Sequence, residues 1–255
     1  MVAANVGEAL NGCTWVGIPF FGSGCEVKYI KARTIVCGDL HKHVINLADV
    51  ISNPLSCAEL RAKLHDLPFA DAVLADAQAR LREFAYEKTR WNSRIQWAVD
   101  YFVAAWMARN GVAGTDSEFS AGLSTRWNAA GGDSVTRFRN ATESLTEWSE
   151  MMRRCTFLAM DFREFLDKCK DNEETGIYVD CPFFEGGEKY KHSFTDKDHE
   201  DLASWLRAFE KARVVCRFYE HPEVRRLYDG WTFKEFAGRK QTNAEAPELL
   251  VINRV

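Results

Sequence analysis

Residues 176–184, Gly176-Ile177-Tyr178-Val179-Asp180-Cys181-Pro182-Phe183-Phe184, are the most informative stretch of the chain. Its apolar run predicts a buried strand that ends at an acid, a proline and two aromatic residues. In an α/β protein the carboxyl ends of the strands form the edge of the sheet at which ligands bind. A carboxylate beside an aromatic ring at that edge suits the binding of a flat, amine-bearing ring such as a nucleobase.

Apolar segments and helical patterns alternate on both sides of this stretch. Apolar residues at helical spacing predict a helix at 40–51 that ends at Asn53-Pro54, and residues 198–211 predict the clearest later helix. The other segments predicted as strands are Thr14–Phe21, Arg33–Cys37, Thr156–Met160, Arg213–Phe218 and Leu249–Ile252. This alternation predicts an α/β fold.

Residues 55–140 differ in composition and predict a mostly helical insertion. Ala, Leu, Arg and Glu dominate 58–86, and 91–109 is a second helical stretch. A loop rich in Gly, Ser, Asn and Asp follows at 110–136, before a helix at 144–154. We therefore expect an α/β domain formed by residues 1–54 and 141–255, interrupted by the insertion at 55–140.

Composition limits the class of protein. The chain has 255 residues, 46% of them hydrophobic, which is enough for a substantial core. Its formal charge of -4 gives no overall attraction to nucleic acid, so such contacts need a local basic surface. The eight cysteines lie singly, and the histidines lack metal-ligand spacing, so we expect reduced thiols and no metal.

We expect no targeting signal or membrane span. Residues 1–12 lack the pattern of a signal peptide, and no run reaches the roughly 20 apolar residues of a membrane span. We expect a soluble protein of the cytoplasm.

Three further features follow predicted strands. Pro19-Phe20-Phe21-Gly22-Ser23-Gly24 closes the first strand, and its glycines permit a sharp turn and close approach to a ligand, although such pairs also occur in ordinary turns. Asp39 follows the second strand, where an acid either accepts both hydroxyls of a ribose or caps the next helix. Asp161-Phe162 follows Thr156–Met160, with a helix cap again as the alternative to a ligand site.

The order of these motifs resembles that of the Dam-like class of adenine-specific DNA methyltransferases. Residues 20–24 look like the family's Phe-x-Gly-x-Gly cofactor motif. Asp180-Cys181-Pro182-Phe183 looks like its Asp-Pro-Pro-Tyr catalytic motif, with Cys181 and Phe183 as departures. Residues 190–202 have the family's Tyr…Phe…Asp-His…Leu pattern, and 218–253 look like its C-terminal strands.

The resemblance implies a Rossmann-like seven-stranded sheet with S-adenosylmethionine across its carboxyl edge. It assigns catalysis to residues 1–54 with 141–255, and target recognition to 55–140. The implied cofactor-binding residues are Phe20, Gly22 and Gly24 for the methionine part, Asp39 for the ribose, and Asp161 and Phe162 for the adenine. The Lys- and Gly-rich segment that usually opens the family has no good match in Met1 to Gly12.

The resemblance also implies methyl transfer to the exocyclic amine of adenine in double-stranded DNA, after base flipping. Asp180 and the backbone carbonyl of Cys181 accept hydrogen bonds from that amine in this scheme, so the side chain at 181 can vary. Pro182 keeps the turn rigid, and Phe183 stacks on the base, which is worth ~1–3 kcal/mol. The alternative is a nucleophilic Cys181 thiol, as in cytosine-modifying enzymes, although those have the order Pro-Cys.

Two regions are expected to contact DNA. Residues 207–240 hold nine Lys or Arg against five acids and end near a polar, basic loop at 238–243; the alternative is a solvated surface. Residues 126–140 interleave aromatic side chains with donors, and the alternative is a structural lid with Trp127 in its core. The residues assigned to DNA are Arg126, Asn128, Arg137, Lys189, Tyr190, Arg239 and Lys240.

Two other functions are compatible with this sequence. A methyltransferase of the same fold could act on RNA, protein or a small amine, but the large insertion is then harder to explain. The other is a non-catalytic DNA-binding module. The presence of Asp180, Pro182, Gly22 and Gly24 argues against it. We expect a monomer that binds S-adenosylmethionine and double-stranded DNA, associates with the nucleoid when bound, and needs no metal or membrane.

Overall fold

The computed structural model describes residues 2–83, 91–109, 119–125, 127–128, 132–184, 194–237 and 247–254. In chain order the helices are α1 Val2–Ala9, α2 Lys42–Ser52, α3 Pro54–Asp66, α4 Asp71–Arg82, α5 Trp91–Met107, α6 Ser134–Met152, α7 Phe162–Asp167, α8 Asp196–Arg207 and α9 Pro222–Leu227. The strands are β1 Trp15–Ile18, β2 Thr34–Asp39, β3 Trp127–Asn128, β4 Gly132–Asp133, β5 Cys155–Ala159, β6 Thr175–Val179, β7 Arg213–Tyr219, β8 Thr232–Phe236 and β9 Glu248–Ile252. None of these helices combines the length and apolar character needed to cross a membrane.

The chain divides into two compact units. The sheet unit comprises Met1–Leu40 and Cys155–Val255, and the helical unit comprises His41–Arg154. The sequence-based division assigned 41–54 and 141–154 to the sheet domain, whereas the compact units place both segments with the helices. The reason is packing: α2 contacts α3, α5 and α6, so the helices that flank the insertion belong to its own core.

The sheet unit contains seven strands in the order β5-β2-β1-β6-β7-β9-β8. The pairs from β5 to β7 are parallel, while β9 runs antiparallel to both β7 and β8. The α/β class is therefore confirmed, with a mixed sheet. From β1 the chain moves outward to β2 and β5, then returns to β6 on the other side of β1. The loops after β1 and β6 consequently leave neighbouring strands at the same edge.

The core of the sheet unit follows from the alternation of side chains along its strands. On one face, Ile177 and Val179 of β6 and Cys216 of β7 pack with Leu202 and Leu206 of α8. The side chains between them, at positions 178 and 217, point to the other face. That alternation places Tyr178 and Arg217 on the face of the sheet opposite α8.

Strand β8 and helix α6 are two of the elements that differ from the sequence-based expectation. The strand β8 was not predicted, because it lies at the edge of the sheet and most of its residues are half-buried or exposed. Helix α6 begins at Ser134 rather than near 144, because the carboxylate of Asp133 accepts from the backbone N–H of Thr136 and starts the helix earlier. The predicted end of a helix at Asn53-Pro54 is confirmed, and Asn53 also caps α3.

The helical unit contains α2 to α6 and the short β3–β4 hairpin. Arg139 donates to the carbonyl oxygens of Leu64, His65 and Leu67 at the end of α3. Arg80 of α4 forms a bidentate ion pair with the buried Asp100 of α5. These contacts tie neighbouring helices together through charged side chains as well as apolar ones.

Candidate functional site

The loop after β1 is fastened to the end of β2. The backbone N–H of Gly22 donates to Oδ2 of Asp39 across 2.9 Å, and the N–H of Phe21 donates to the carbonyl of Gly38 across 2.8 Å. Gly22 and Gly24 have φ values of 50° and 64°, a region that favours glycine. The sharp turn predicted from the two glycines is thus present, and Asp39 holds it.

Asp39 and Asp161 were each predicted either to bind a ligand or to cap a helix, and only Asp161 caps one. The side chain that caps α2 is His41, whose Nδ1 accepts from the N–H of Val44. Asp161, by contrast, caps α7: its Oδ1 accepts from the N–H of Arg163 across 2.8 Å. Asp39 therefore lies at the sheet edge as a loop partner, whereas Asp161 has the structural role that was its alternative.

Three phenylalanine rings meet beside this loop. Phe20 lies 5.4 Å from Phe162 and 5.7 Å from Phe194 between ring centroids, and Phe162 lies 5.7 Å from Phe194. Two of these rings were predicted to bind the cofactor, and Phe194 joins them from the segment before α8. The guanidinium of Arg163 covers Phe162 at 4.3 Å and pairs with Asp198. An apolar wall thus stands next to the glycine loop.

Asp180 forms an ion pair on the edge of the sheet. Nη1 of Arg217, on β7, donates to Oδ2 of Asp180 across 3.2 Å, and the same guanidinium contacts Glu248 of β9 at 2.8 Å. Burial raises the pKa of Asp180 to about 6, Arg217 opposes that rise, and the charge of Glu26 adds to it. Asp180 is consequently a carboxylate near neutral pH, but one that takes up a proton more readily than an exposed aspartate.

The neighbours of Asp180 have distinct environments. Cys181 is 2% exposed within the apolar core, and burial raises the pKa of its thiol well above the usual range. A thiolate is therefore unfavourable there, which argues against the nucleophilic alternative. Pro182 and Phe183 are half-buried, and the Phe183 ring lies 4.5 Å from that of Tyr219.

Phe184 is stacked between two histidines. Its ring centroid lies 3.7 Å from His199 and 4.8 Å from His221, with nearly parallel planes in both cases. Burial lowers the pKa of His199 to about 4, so this histidine is neutral at pH 7. The stack fixes the chain directly after the Asp180 motif.

Several residues of this site escaped sequence-based reasoning. Arg217 was counted with a basic surface, although a single charge inside the apolar run Val214–Phe218 is the signal of an internal partner. Glu26 follows the glycine loop and is 6% exposed. Tyr178 is 1% exposed, and its hydroxyl has no hydrogen-bond partner among the described residues. Burial raises the pKa of the Tyr178 hydroxyl, and the charges of Asp180 and Glu26 raise it further.

Most residues assigned to DNA fall outside the described part of the chain. These are Arg126, Lys189, Tyr190, Arg239 and Lys240, and for Asn128 only the backbone in β3 is described. Arg137 is exposed on α6.

The basic surface expected at 207–240 is partly neutralised. Arg225 pairs with Glu220 and Glu235, and Arg226 pairs with Glu223 and Glu200. Arg207 and Arg213 donate to backbone carbonyls, and Arg217 lies inside the site. These five arginines are engaged in contacts within the sheet unit, so their number alone overstated how many side chains are available for phosphate.

Comparisons with known proteins add no family. No protein-family model matches the chain, and no curated protein matches it significantly. Among the described residues, no group of three or more His, Cys, Asp or Glu side chains is arranged to hold a metal ion.

Proposed function

We propose that this chain is an S-adenosylmethionine-dependent methyltransferase that acts on the exocyclic amine of adenine in double-stranded DNA. The observation that carries the proposal is the pairing of β1 with β6. The loop with Gly22 and Gly24 follows β1, and the Asp180 motif follows β6, its parallel neighbour. A cofactor loop and a catalytic carboxylate then share one edge of the sheet, as the transfer between two bound molecules requires.

The strand order supports a Rossmann-like fold. Numbered along the sheet unit, the strands have the order 3-2-1-4-5-7-6, which is the doubly wound order 3-2-1-4-5-6 with one antiparallel strand added between the last two. Such sheets bind ligands where the order reverses. Here the reversal lies between β1 and β6, where the two motifs are found.

The contacts of Asp180 give its role a physical basis. Arg217 occupies Oδ2, so we assign Oδ1 as the acceptor for a hydrogen of the target amine. Fixing the carboxylate by an ion pair to a neighbouring strand reduces the reorganisation needed for the reaction. Bound S-adenosylmethionine supplies the methyl group. Cys181, whose side chain is in the core, offers only its backbone carbonyl, and Phe183 offers a ring for stacking.

The test separates cofactor binding from transfer. We expect the full chain to bind S-adenosylmethionine in calorimetry and to transfer a tritiated methyl group to adenine of double-stranded DNA. Asp180→Ala is expected to lack transfer, and Asp229→Ala, an exposed acid of the same unit, is the matched control that retains it.

Each outcome has a defined meaning. Transfer to RNA, to protein or to a small amine, with none to DNA, would overturn the DNA assignment and leave the cofactor. DNA binding without any binding of S-adenosylmethionine would identify the non-catalytic module instead.

A further inference from the structure

Arg217 lies beside Asp180 because of the register of two parallel strands. The register of β6 and β7 pairs Val179 with Cys216, and both of these side chains face α8. The next step along the two strands places Asp180 opposite Arg217, with both side chains on the other face. Their 3.2 Å contact therefore follows from the pairing of the strands that carry them.

The Arg217 guanidinium has more donors than its described partners use. A guanidinium carries five N–H groups. Nε and Nη2 contact Oε2 of Glu248 at 2.9 Å and 2.8 Å, and Nη1 donates one hydrogen to Oδ2 of Asp180. No further acceptor contacts this guanidinium within the described part of the chain. One N–H on Nη1 and one on Nη2 therefore remain for a ligand, and the side chain is only half-buried.

Asp180 offers the complementary kind of atom. Its Oδ2 accepts from Arg217, whereas none of the described residues donates to its Oδ1. A free acceptor and a free donor thus lie on the two partners of one ion pair. Because each partner holds the other in place, the two free atoms keep a fixed relation to one another.

An aromatic pair lies on the same part of the sheet edge. Tyr219 follows Arg217 by two residues on β7, so the two side chains point to the same face. Its ring lies 4.5 Å from the ring of Phe183, which follows Asp180 by three residues. Both rings are half-buried. A base stacked on this pair has only its edge left for hydrogen bonds to the ion pair.

An acceptor next to a donor selects one kind of base edge. On the Watson–Crick edge of adenine the exocyclic amine donates, and the adjacent ring nitrogen N1 accepts. Guanine has a carbonyl and an N–H in the reverse order, so its oxygen would meet the carboxylate. Enzymes that flip a base read this edge by hydrogen bonds. A mismatch that leaves polar groups of the site unpaired is strongly rejected.

We propose that Arg217 is a specificity-determining residue that donates to N1 of the flipped adenine while Asp180 accepts from the neighbouring amine. This inference rests on the proposed function, because it assigns a second atom of the same base. Glu248 shares the guanidinium and offsets its charge, so the donation to N1 withdraws little electron density from the amine that reacts.

The experiment varies the ring nitrogens of the target base. DNA duplexes carry adenine, 1-deazaadenine or 3-deazaadenine opposite an abasic site, so that neither analogue loses base pairing. The first analogue lacks the N1 acceptor, and the second retains it. With the wild-type chain we expect kcat/KM for tritiated methyl transfer to fall about tenfold or more with 1-deazaadenine, the loss typical of one charge-assisted hydrogen bond. With 3-deazaadenine it should stay close to the value for adenine.

A variant assigns the contact to Arg217. Arg217→Met keeps a long side chain without donors, and each protein is assayed at a pH where its own profile is level. We expect this variant to lose activity on adenine and to treat adenine and 1-deazaadenine alike within about twofold, because the contact no longer exists. The control is Arg33→Gln, at an exposed residue before the amino end of β2, and it keeps the wild-type ratio.

Failure of this inference differs from failure of the proposed function. A wild-type chain that methylates none of the three duplexes contradicts the proposed function itself. If wild type methylates adenine but loses nothing with 1-deazaadenine, or loses as much with 3-deazaadenine, the contact to N1 is wrong. An Arg217→Met variant that keeps the wild-type preference shows that another group contacts N1. Thermal melting shows whether this variant is folded, and if it is not, the two analogues still test the contact in wild type.

Discussion

Arg217 donates to Asp180 across 3.2 Å and simultaneously contacts Glu248. One guanidinium is thus shared between the proposed catalytic carboxylate and a second acid on β9. Arg217 lowers the pKa of Asp180, but burial raises it more, and Glu26 and Glu248 add to the rise. The protonation of Asp180 is therefore set by residues from three other segments of the sheet unit.

The raised pKa predicts how stability depends on pH. Because folding moves the pKa of Asp180 from 3.8 to about 6, its contribution is fully present below pH 4 and is lost as pH rises through 6. We expect Asp180→Asn to match wild type in urea unfolding at pH 4 and to exceed it at pH 8, by on the order of 2 kcal/mol. Asp229→Asn, an exposed acid, serves as the control. Equal stability of Asp180→Asn and wild type at both pH values would show that the carboxylate is not destabilised by folding.

Arg217 and Glu248 are expected to move the pH profile of methyl transfer in opposite directions. Since Asp180 must be ionised to accept from the amine, kcat/KM should rise with pH through about 6. Arg217→Gln removes a charge that lowers the pKa of Asp180, so the rise should shift to higher pH. Glu248→Gln removes a charge that raises this pKa, so the rise should shift to lower pH. Shifts of the same sign in both variants would mean that Asp180 is not the titrating group.

The Asp180 motif predicts a contrast between neighbours. Asp180→Ala is expected to abolish transfer while cofactor binding remains measurable, because it removes a side-chain acceptor. Cys181→Ala is expected to keep most activity, since only its carbonyl takes part, and to lose about 1 kcal/mol of stability from the core. Phe183→Tyr keeps the stacking ring and activity, whereas Phe183→Ala loses activity. Single-turnover transfer to DNA measures all four variants.

A thiol mechanism predicts the opposite result at position 181. An inactive Cys181→Ala that still binds cofactor and DNA, together with a covalent adduct on fluorinated cytosine, would reject the adenine mechanism.

Asp39 is expected to act on the cofactor through two contacts. Its Oδ2 accepts from the N–H of Gly22 across 2.9 Å, and the same carboxylate is proposed to bind the ribose. Asp39→Ala should therefore lower the affinity for S-adenosylmethionine by about 2 kcal/mol in calorimetry, with the fold intact. Asp39→Asn retains an oxygen for Gly22 and should lose less. Unchanged affinity in the alanine variant would remove Asp39 from the site.

Local patterns were sufficient for much of the fold. The β6 segment is an apolar run between polar ends and was located from sequence. The helix predicted at 198–211 is present as α8, but it spans Asp196–Arg207, because Thr195 and Asp198 form a capping box that starts it earlier. The edge strand β8 could not be located, because it presents few buried side chains. The start of α6 was not predicted, because Asp133, which caps it, lies among Gly131, Gly132 and Ser134, residues that are typical of a loop.

Local sequence patterns were enough to predict the α/β class and the turn at Gly22 and Gly24, because both depend on residues that are near one another in the chain. Only the folded chain shows that β1 and β6 are neighbours and that Arg217 pairs with Asp180. Strand order and ion pairing depend on residues far apart in sequence. Such contacts are selected by packing and charge balance across the whole sheet, and no local pattern records them.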